Sequence, residues 1–266
     1  MTTENLHGAS GEDGALRDIL ALTGVPFVGA TASSARLTWD KSIAKILVSK
    51  SGVQTPASIT LPKETFRELD AETVLKTVSA AMTFPVVVKP ARSGSSRGTT
   101  KVKSAGELAA AVAEAHRFDP KAMVENAVIG REIECAVLEM EGTPRASVVG
   151  QIEIDSKFEF YEFEAKYLDG ATSITLPAPI APEISALIQA KAVEAFISLG
   201  CSGLARVDFF VTPNGEVIIN ELNTMPGFTA TSVFPKMWAA TGVGYTQVIT
   251  HLLKSALTRN NGVLGN

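Results

Sequence analysis

The stretch LARVDFFVTPNGEVIINELN, residues 204–223, decides the fold that we predict for this chain. Two runs of alternating β-branched and aromatic residues flank an Asn-Gly pair, which is the strongest short-range signal for a β-hairpin. A two-residue turn at Asn214-Gly215 sets the cross-strand pairs, which are Asp208 with Glu221 and Arg206 with Asn223.

Two carboxylates that face each other in an otherwise apolar hairpin need a physical reason. Residues two apart in a strand share a face, so all four side chains point the same way. Opposed like charges destabilise a strand pair. A hard divalent cation, which prefers carboxylate and amide oxygens, removes the repulsion and makes Asp208, Glu221 and Asn223 candidate metal ligands. The alternative is a solvated polar face, but Glu221 leads into a glycine-containing loop, where functional groups collect.

Composition and charge exclude several classes of function. The 266 residues allow one large domain or two to three small ones. A net charge of −4 argues against a large basic surface for nucleic acid. No apolar run approaches the length of a membrane span, and the polar N-terminus lacks a secretory core, so we expect a cytoplasmic protein. The three histidines lack the spacing of zinc ligands.

The hydrophobic pattern predicts an α+β fold with antiparallel strands, flanking helices and more than one layer. Helices are predicted near residues 13–23, 40–50, 72–81, 104–116, 182–199 and 244–257. Strands besides the hairpin are predicted near residues 57–61, 85–90, 123–128, 132–139 and 147–154. Residues 157–176 have no clean period and are predicted to form a long active-site loop.

A second candidate site follows the buried strand near residue 88. Lys89 ends this strand, and the loop after it, ARSGSSRG at 91–98, is rich in serine and glycine. Small residues let backbone N–H groups form a concave nest for phosphate, and the lysine adds a point charge. A flexible linker is the alternative, but the lysine and the two arginines of the loop, Arg92 and Arg97, favour phosphate binding.

Two further patterns carry weaker signals. The strand through Glu125 and Val128 breaks at Gly130 and resumes with Glu132, and such a gap can bind a purine edge and a ribose hydroxyl. His7 begins the segment HGASGEDG, which is either a turn that leads into a helix or a substrate contact.

The ordered motifs HGASGEDG, Trp39-Asp40-Lys41, VVVKPARSGSSRG, GREIECAVL, EAKYLDG, RVDFF and NELNTMPGFTATS together resemble the D-alanine–D-alanine ligase family of the ATP-grasp superfamily. The resemblance runs from about Leu6 to the C-terminal helix. It implies that ATP drives the joining of two D-alanines, for peptidoglycan precursors, through an acyl phosphate. It also implies three regions: an N-terminal substrate-domain remnant at 1–38, a central ATP-grasp subdomain at 39–130 and a C-terminal one at 131–266.

The resemblance also implies a role for each matching residue. The lysines Lys41, Lys89 and Lys166 resemble those that hold the ATP phosphates, and Ser95 and Ser96 lie in the loop that closes over them. Glu125 and Val128 match the adenine segment, and Glu132 the ribose ligand. Asp208, Glu221 and Asn223 match the ligands of two Mg²⁺ ions, with Mn²⁺ as a substitute. Arg206 and the Gly227 N–H match the oxyanion hole. His7, Ser232 and Val233 match substrate contacts, and Ser95 pairs with Tyr167. A tyrosine at position 167 favours D-alanyl-D-alanine over D-alanyl-D-lactate as the product.

The chain also departs from the family pattern. It starts just before HGASGEDG, so we expect most of the N-terminal domain, with its glutamate for the first D-alanine, to be absent. Family members commonly form homodimers through that domain. Arg97 stands where the family usually has a small apolar residue.

Three functions therefore compete. The first is an ATP-dependent D-alanine–D-alanine ligase, with ATP and D-alanine as its small-molecule partners. The second is a related ATP-grasp ligase that joins other amino acids. The third is a catalytically incomplete ATP-binding remnant, which the missing domain favours and the intact metal trio opposes.

Overall fold

Two antiparallel β-sheets with helices packed against them make up the fold, which confirms the predicted α+β class. The computed structural model describes residues 9–154 and 172–259. Its helices are α1 Ala9–Glu12, α2 Ala15–Leu22, α3 Ala32–Trp39, α4 Lys41–Lys50, α5 Thr65–Glu68, α6 Ala71–Ala81, α7 Leu108–Ala115, α8 Pro182–Ser198, α9 Val233–Ala240 and α10 Tyr245–Thr258. Its strands are β1 Ser58–Pro62, β2 Val86–Pro90, β3 Thr100–Val102, β4 Lys121–Asn126, β5 Arg131–Met140, β6 Thr143–Ile154, β7 Thr172–Thr175, β8 Leu204–Val211 and β9 Val217–Asn223.

The first sheet has four strands in the order β1-β4-β2-β3. Val86 and Val88 of β2 are fully buried against apolar residues of α6 and α7, whereas Val87 points the other way and lines a cavity. This alternation follows from the period of two in a strand. The sheet therefore has one face in a core and one face open to the site described below.

The second sheet has five strands in the order β7-β6-β5-β8-β9 and a hydrophobic core on each face. Val207 and Phe209 of β8 pack in the core that contains α8, whereas Leu204 packs in the core of α9 and α10. The polar side chains of Arg206 and Asp208 lie on the same face as Leu204, further along the strand. The sheet is therefore packed on both faces, and its polar region is the part of β8 that carries Arg206 and Asp208.

The hairpin pairs as predicted, although the predicted turn is wrong. Asp208 lies opposite Glu221, but nearer the turn Val211 lies opposite Val217, and the Thr212 N–H donates to the Glu216 carbonyl oxygen. The turn therefore has three residues, 213–215, and not two. Gly215 occupies the left-handed position of this turn with φ of +82°. A β-bulge between the two regions leaves Asn220 as the extra residue and restores the predicted pairing beyond it.

Several elements differ from the sequence prediction. Helices α1, α3, α5 and α9 and strand β3 were not predicted, and they are short, with three to eight residues each. The segment predicted as a loop at 157–176 includes β7, which pairs with β6. The rest of that predicted loop lies outside the described residues, and so does the part of the motif HGASGEDG before residue 9.

Candidate active site

A cavity of about 620 Å³ lies between the two sheets. Nine of the predicted site residues line it: Lys41, Lys89, Ser95, Ser96, Glu125, Val128, Glu132, Asp208 and Glu221. They come from α4, from strands β2 and β4 of the first sheet, and from the loop after β2. The others come from the segment between β4 and β5 and from strands β5, β8 and β9 of the second sheet. The fold therefore brings together residues that are up to 180 positions apart in the chain.

The hairpin contributes a row of acidic side chains. Asp208 lies opposite Glu221 on β9 and, on its other side, opposite Glu134 on β5. The predicted amide ligand, Asn223, accepts a hydrogen bond at 2.8 Å from the backbone N–H of Met225, which fixes the start of the following loop. Within the part of the chain that the structure describes, no three His, Cys, Asp or Glu side chains are grouped so as to hold a metal ion. The predicted set has two carboxylates and one amide, so its metal role stays a prediction.

Arg206 is held by two carboxylates. Its Nε and Nη2 donate to the two oxygens of Asp208, both at 2.7 Å, and its Nε lies 3.2 Å from Oε2 of Glu134. Burial alone would lower the pKa of Arg206, but Asp208 and Glu134 raise it well above its usual value. The guanidinium is therefore a permanent, preorganised cation beside Asp208 and Glu134, two residues that line the cavity.

Lys41 connects the hairpin to the loop after β2. Its Nζ donates to the carbonyl oxygen of Ser93 at 2.5 Å and lies 3.6 Å from Oε2 of Glu221. The lysine is placed by the start of α4, where the side chain of Asp40 accepts hydrogen bonds from the backbone N–H groups of Ser42 and Ile43. Asp40 is thus the N-cap of α4, and Lys41, the first residue of that helix, lines the cavity.

Glu125 is buried between two lysines. Its carboxylate forms ion pairs with Lys45 of α4 and Lys89 of β2. Burial opposes the ionisation of Glu125, but the two lysines outweigh it and lower its pKa to about 2. For Lys45 burial is the larger effect and lowers its pKa to about 8, although Glu125 opposes this. Glu125 therefore fixes the position of Lys89 through its side chain.

The loop after β2 makes a tight turn at the two serines of the predicted anion-binding nest, where the Arg97 N–H donates to the Gly94 carbonyl oxygen at 3.2 Å. Ser95 and Ser96 both have left-handed backbone conformations, with φ of 52° and 56°. Such conformations are uncommon outside glycine and collect at functional sites. The two arginines of the loop differ in role: Arg92 forms a bidentate contact with the buried Asp119, whereas Arg97 is exposed and lines the cavity. Arg92 thus anchors the base of the loop, and its use as evidence for phosphate binding was wrong.

The remaining predicted residues lie at three places. Glu132 is the second residue of β5, lies opposite Phe210 of β8 and lines the cavity. A Cβ atom on Gly130 would meet the Val211 carbonyl oxygen at 2.6 Å. Gly227 and Ser232 lie close together, since a Cβ on Gly227 would be 3.0 Å from the Ser232 hydroxyl, and Val233 begins α9. His7, Lys166 and Tyr167 lie outside the described residues.

Sequence reasoning missed Glu134 and Lys45. Glu134 is a charged residue in the middle of a strand whose neighbours Ile133 and Cys135 are fully buried, and its spacing of two from Glu132 was the available signal. Lys45 lies four residues after Lys41 and so on the same face of α4, which was the signal for it.

Comparison with known proteins supports this description. The model of the family "D-ala D-ala ligase C-terminus" matches residues 47–254. The chain is 45% identical over 260 residues to a D-alanine--D-alanine ligase of Streptomyces avermitilis and 45% identical over 256 residues to D-alanine--D-alanine ligase A of Chromobacterium violaceum. These matches cover 97% and 96% of the chain and 67% and 68% of the two relatives, so the chain spans about two thirds of their length.

Solved structures agree with the sequence matches. The VanG D-Ala:D-Ser ligase of Enterococcus faecalis superposes with a TM-score of 0.85 at 39% identity, over 95% of this chain and 71% of that one. The D-alanine-D-alanine ligase of Coxiella burnetii superposes with a TM-score of 0.82 at 36% identity, over 96% of this chain and 66% of that one. With the fold, the family model and these relatives in agreement, this chain belongs to the D-alanine–D-alanine ligase family.

Proposed function

We propose that the chain joins two D-alanines to D-alanyl-D-alanine at the expense of ATP, in the cytoplasm, for peptidoglycan synthesis. One observation carries the proposal: lysines, a turn with two left-handed serines and an opposed pair of carboxylates line one cavity between two sheets. Membership of the family gives this arrangement its chemistry. We propose the boundaries at residues 39 and 131 for the two ATP-grasp subdomains.

ATP would bind between the sheets. Lys41, Lys89 and Lys166 would hold its phosphates, and Ser95 and Ser96 would donate to them from the loop after β2. The segment from Glu125 to Val128 would contact the adenine, with Glu132 on the ribose. Since the side chain of Glu125 is occupied by Lys45 and Lys89, its part in this segment would be to fix Lys89.

The hairpin would hold divalent cations. Asp208, Glu221 and Asn223 would be ligands of two Mg²⁺ ions, or of Mn²⁺, and the fit rests on two carboxylates that the fold forces to face each other. When bound, Mg²⁺ would neutralise the charge of the ATP phosphates.

The reaction would have two steps. First, a carboxylate oxygen of one D-alanine attacks the γ-phosphorus, forming an acyl phosphate and releasing ADP. Then the neutral amine of the second D-alanine attacks the acyl carbon; the nitrogen loses a proton, and phosphate leaves with the attacking oxygen of the first step. Arg206 and the Gly227 N–H would stabilise the oxyanion of the tetrahedral intermediate. Ser95 and Tyr167 would order the site over the first substrate.

His7, Ser232 and Val233 would contact the amino acids, and Ser232 lies beside Gly227 as a carboxylate contact near the oxyanion hole requires. The similarity to a D-Ala:D-Ser ligase makes D-serine the second candidate for the amine substrate. We expect no nucleic-acid partner. Among the described residues, none of the helices is long and apolar enough to cross a membrane. A homodimer remains a proposal that depends on the N-terminal region.

The test is an assay of the purified chain with ATP, Mg²⁺ and D-alanine, with D-serine added in a parallel reaction. We expect ADP, phosphate and D-alanyl-D-alanine in equal amounts. If the only dipeptide formed were D-alanyl-D-serine, the result would identify D-serine as the amine substrate. Nucleotide binding with neither dipeptide nor phosphate release in either mixture would contradict ligation of D-alanine and support an ATP-binding remnant.

A further inference from the structure

Glu134 is a buried carboxylate that none of the roles above uses. It lies on β5 directly opposite Asp208 and is 3% exposed. On its own face of the strand, Ala136 is fully buried and apolar, whereas Glu132 lines the cavity as Glu134 itself does. Burying a carboxylate is costly unless it is paired with a cation, so the partner of Glu134 should explain why a charged residue occupies this position.

Arg206 is that partner, and Glu134 shares it with Asp208. The Nε of Arg206 lies 2.7 Å from Oδ1 of Asp208 and 3.2 Å from Oε2 of Glu134. The arginine thus has one carboxylate that is a proposed cation ligand and one that is not. Both oxygens of Asp208 already accept hydrogen bonds from the guanidinium, so a cation that binds Asp208 competes with Arg206 for the same carboxylate.

We propose that Glu134 is a positioning residue, which holds the Arg206 guanidinium in place while the Asp208 carboxylate coordinates a divalent cation. This inference rests on the proposed cation site of the hairpin. Without Glu134, Arg206 would depend on Asp208 alone, and the arginine and the cation would compete for one carboxylate. Loss of Glu134 would therefore weaken the binding of Mg²⁺ with nucleotide.

The experiment is a calorimetric titration of the full chain with ADP at a series of Mg²⁺ concentrations, without D-alanine. Glu134→Gln keeps the shape and an acceptor but removes the charge. We expect the Mg²⁺ concentration for half-maximal binding to rise at least about tenfold, since removing one partner of a buried ion pair costs more free energy than that factor. Glu139→Gln is the control, because Glu139 lies on the same strand and accepts from the Gly203 N–H, which a glutamine can also satisfy.

Glu134→Asp separates positioning from charge. It keeps the negative charge but withdraws the carboxylate from Arg206 by about 1.5 Å, the length of one carbon–carbon bond. We expect it to raise the Mg²⁺ requirement as well, with a thermal midpoint that shows a folded chain.

Two results would overturn the inference alone: an unchanged Mg²⁺ requirement in folded Glu134→Gln, or a change in that variant with none in Glu134→Asp, which would show a simple charge effect. A wild-type chain whose ADP binding does not depend on Mg²⁺ would overturn the proposed function together with the inference.

Discussion

At the residue scale, the main feature is a set of charges that the fold holds against their own repulsion. Asp208 and Glu221 face each other across the hairpin, and Lys41 and Arg206 lie against them. Each cation also contacts a second group, Ser93 for the lysine and Glu134 for the arginine. The arrangement is ordered before any ligand arrives, as electrostatic stabilisation of a transition state requires.

Glu221→Gln tests the proposed cation site at its centre. The change removes one of two opposed charges, so we expect the free energy of unfolding to stay the same or rise. We expect Mg²⁺-dependent nucleotide binding to fall by about a hundredfold, which corresponds to about 3 kcal/mol for one charged ligand. Titration calorimetry measures it, with Glu216→Gln, an exposed glutamate of the same hairpin, as the control. Wild-type Mg²⁺ dependence in the variant would show that Glu221 is not a ligand.

Glu125 makes stability depend on pH in a defined window. Its pKa in the folded chain is about 2, below the ordinary 4.5, so the folded state binds this proton more weakly than the unfolded state. The stability from its ion pairs is therefore complete above pH 4.5 and is lost as the pH falls from 4.5 towards 2. We expect urea unfolding to show a smaller loss between about pH 6 and about pH 3 in Glu125→Gln than in the wild type. Equal losses in both proteins would contradict the ion-pair account.

At the element scale, sequence pattern predicted the long elements and missed the short ones. The hydrophobic period is clear in α10, with 14 residues, whereas α8, with 17, was marked by its length and by Pro182 at its first position. The unpredicted α5, with four residues, and β3, with three, are too short to show a hydrophobic period. Strand β7 was taken as loop because its four residues depend on pairing with β6 and carry little signal of their own.

The hairpin shows how a local error can leave a site prediction intact. The Asn-Gly pair predicted a two-residue turn, but the turn has three residues and a bulge follows on β9. Each change moves the register by one residue, and the two cancel at Asp208 and Glu221. Pro213 at the first corner and Gly215 in the left-handed position fit a three-residue turn, so the sequence carried a signal for the first change. Nothing in the sequence marks Asn220 as the extra residue of the bulge.

The loop after β2 depends on glycine at its end. Gly98 has φ of +72°, and a Cβ there would lie 2.5 Å from Cδ2 of Phe118 and 2.9 Å from Cγ of Pro90. Gly242 has φ of +92° with nothing within 4 Å. We expect Gly242→Ala to lower the free energy of unfolding by about 1 kcal/mol, the cost of a left-handed alanine. Gly98→Ala should cost more and also weaken nucleotide binding, because the loop must move.

Chemical denaturation and ADP titration of the two alanine variants measure these effects. If Gly98→Ala matched Gly242→Ala in stability and bound ADP like the wild type, the loop would not be held by this contact.

At the scale of the whole molecule, the site exists only where the two sheets meet. Lysines of the first half, the nest at Ser95 and Ser96, and the acidic hairpin of the second half line one cavity. Ordered motifs let the sequence predict most of these residues. It could not predict the buried contacts that support them, such as Lys45 with Glu125 and Arg92 with Asp119, because such partners are far apart in the chain.

The most direct test of the central claim, that this cavity makes an acyl phosphate from D-alanine and ATP, is transfer of labelled oxygen. The chain is incubated with ATP, Mg²⁺ and D-alanine carrying ¹⁸O in its carboxylate, and the released phosphate is analysed by mass spectrometry. Because the attacking carboxylate oxygen stays on phosphorus, each dipeptide formed should release one phosphate with a single ¹⁸O. Dipeptide accompanied by unlabelled phosphate, or phosphate released without dipeptide, would contradict the account.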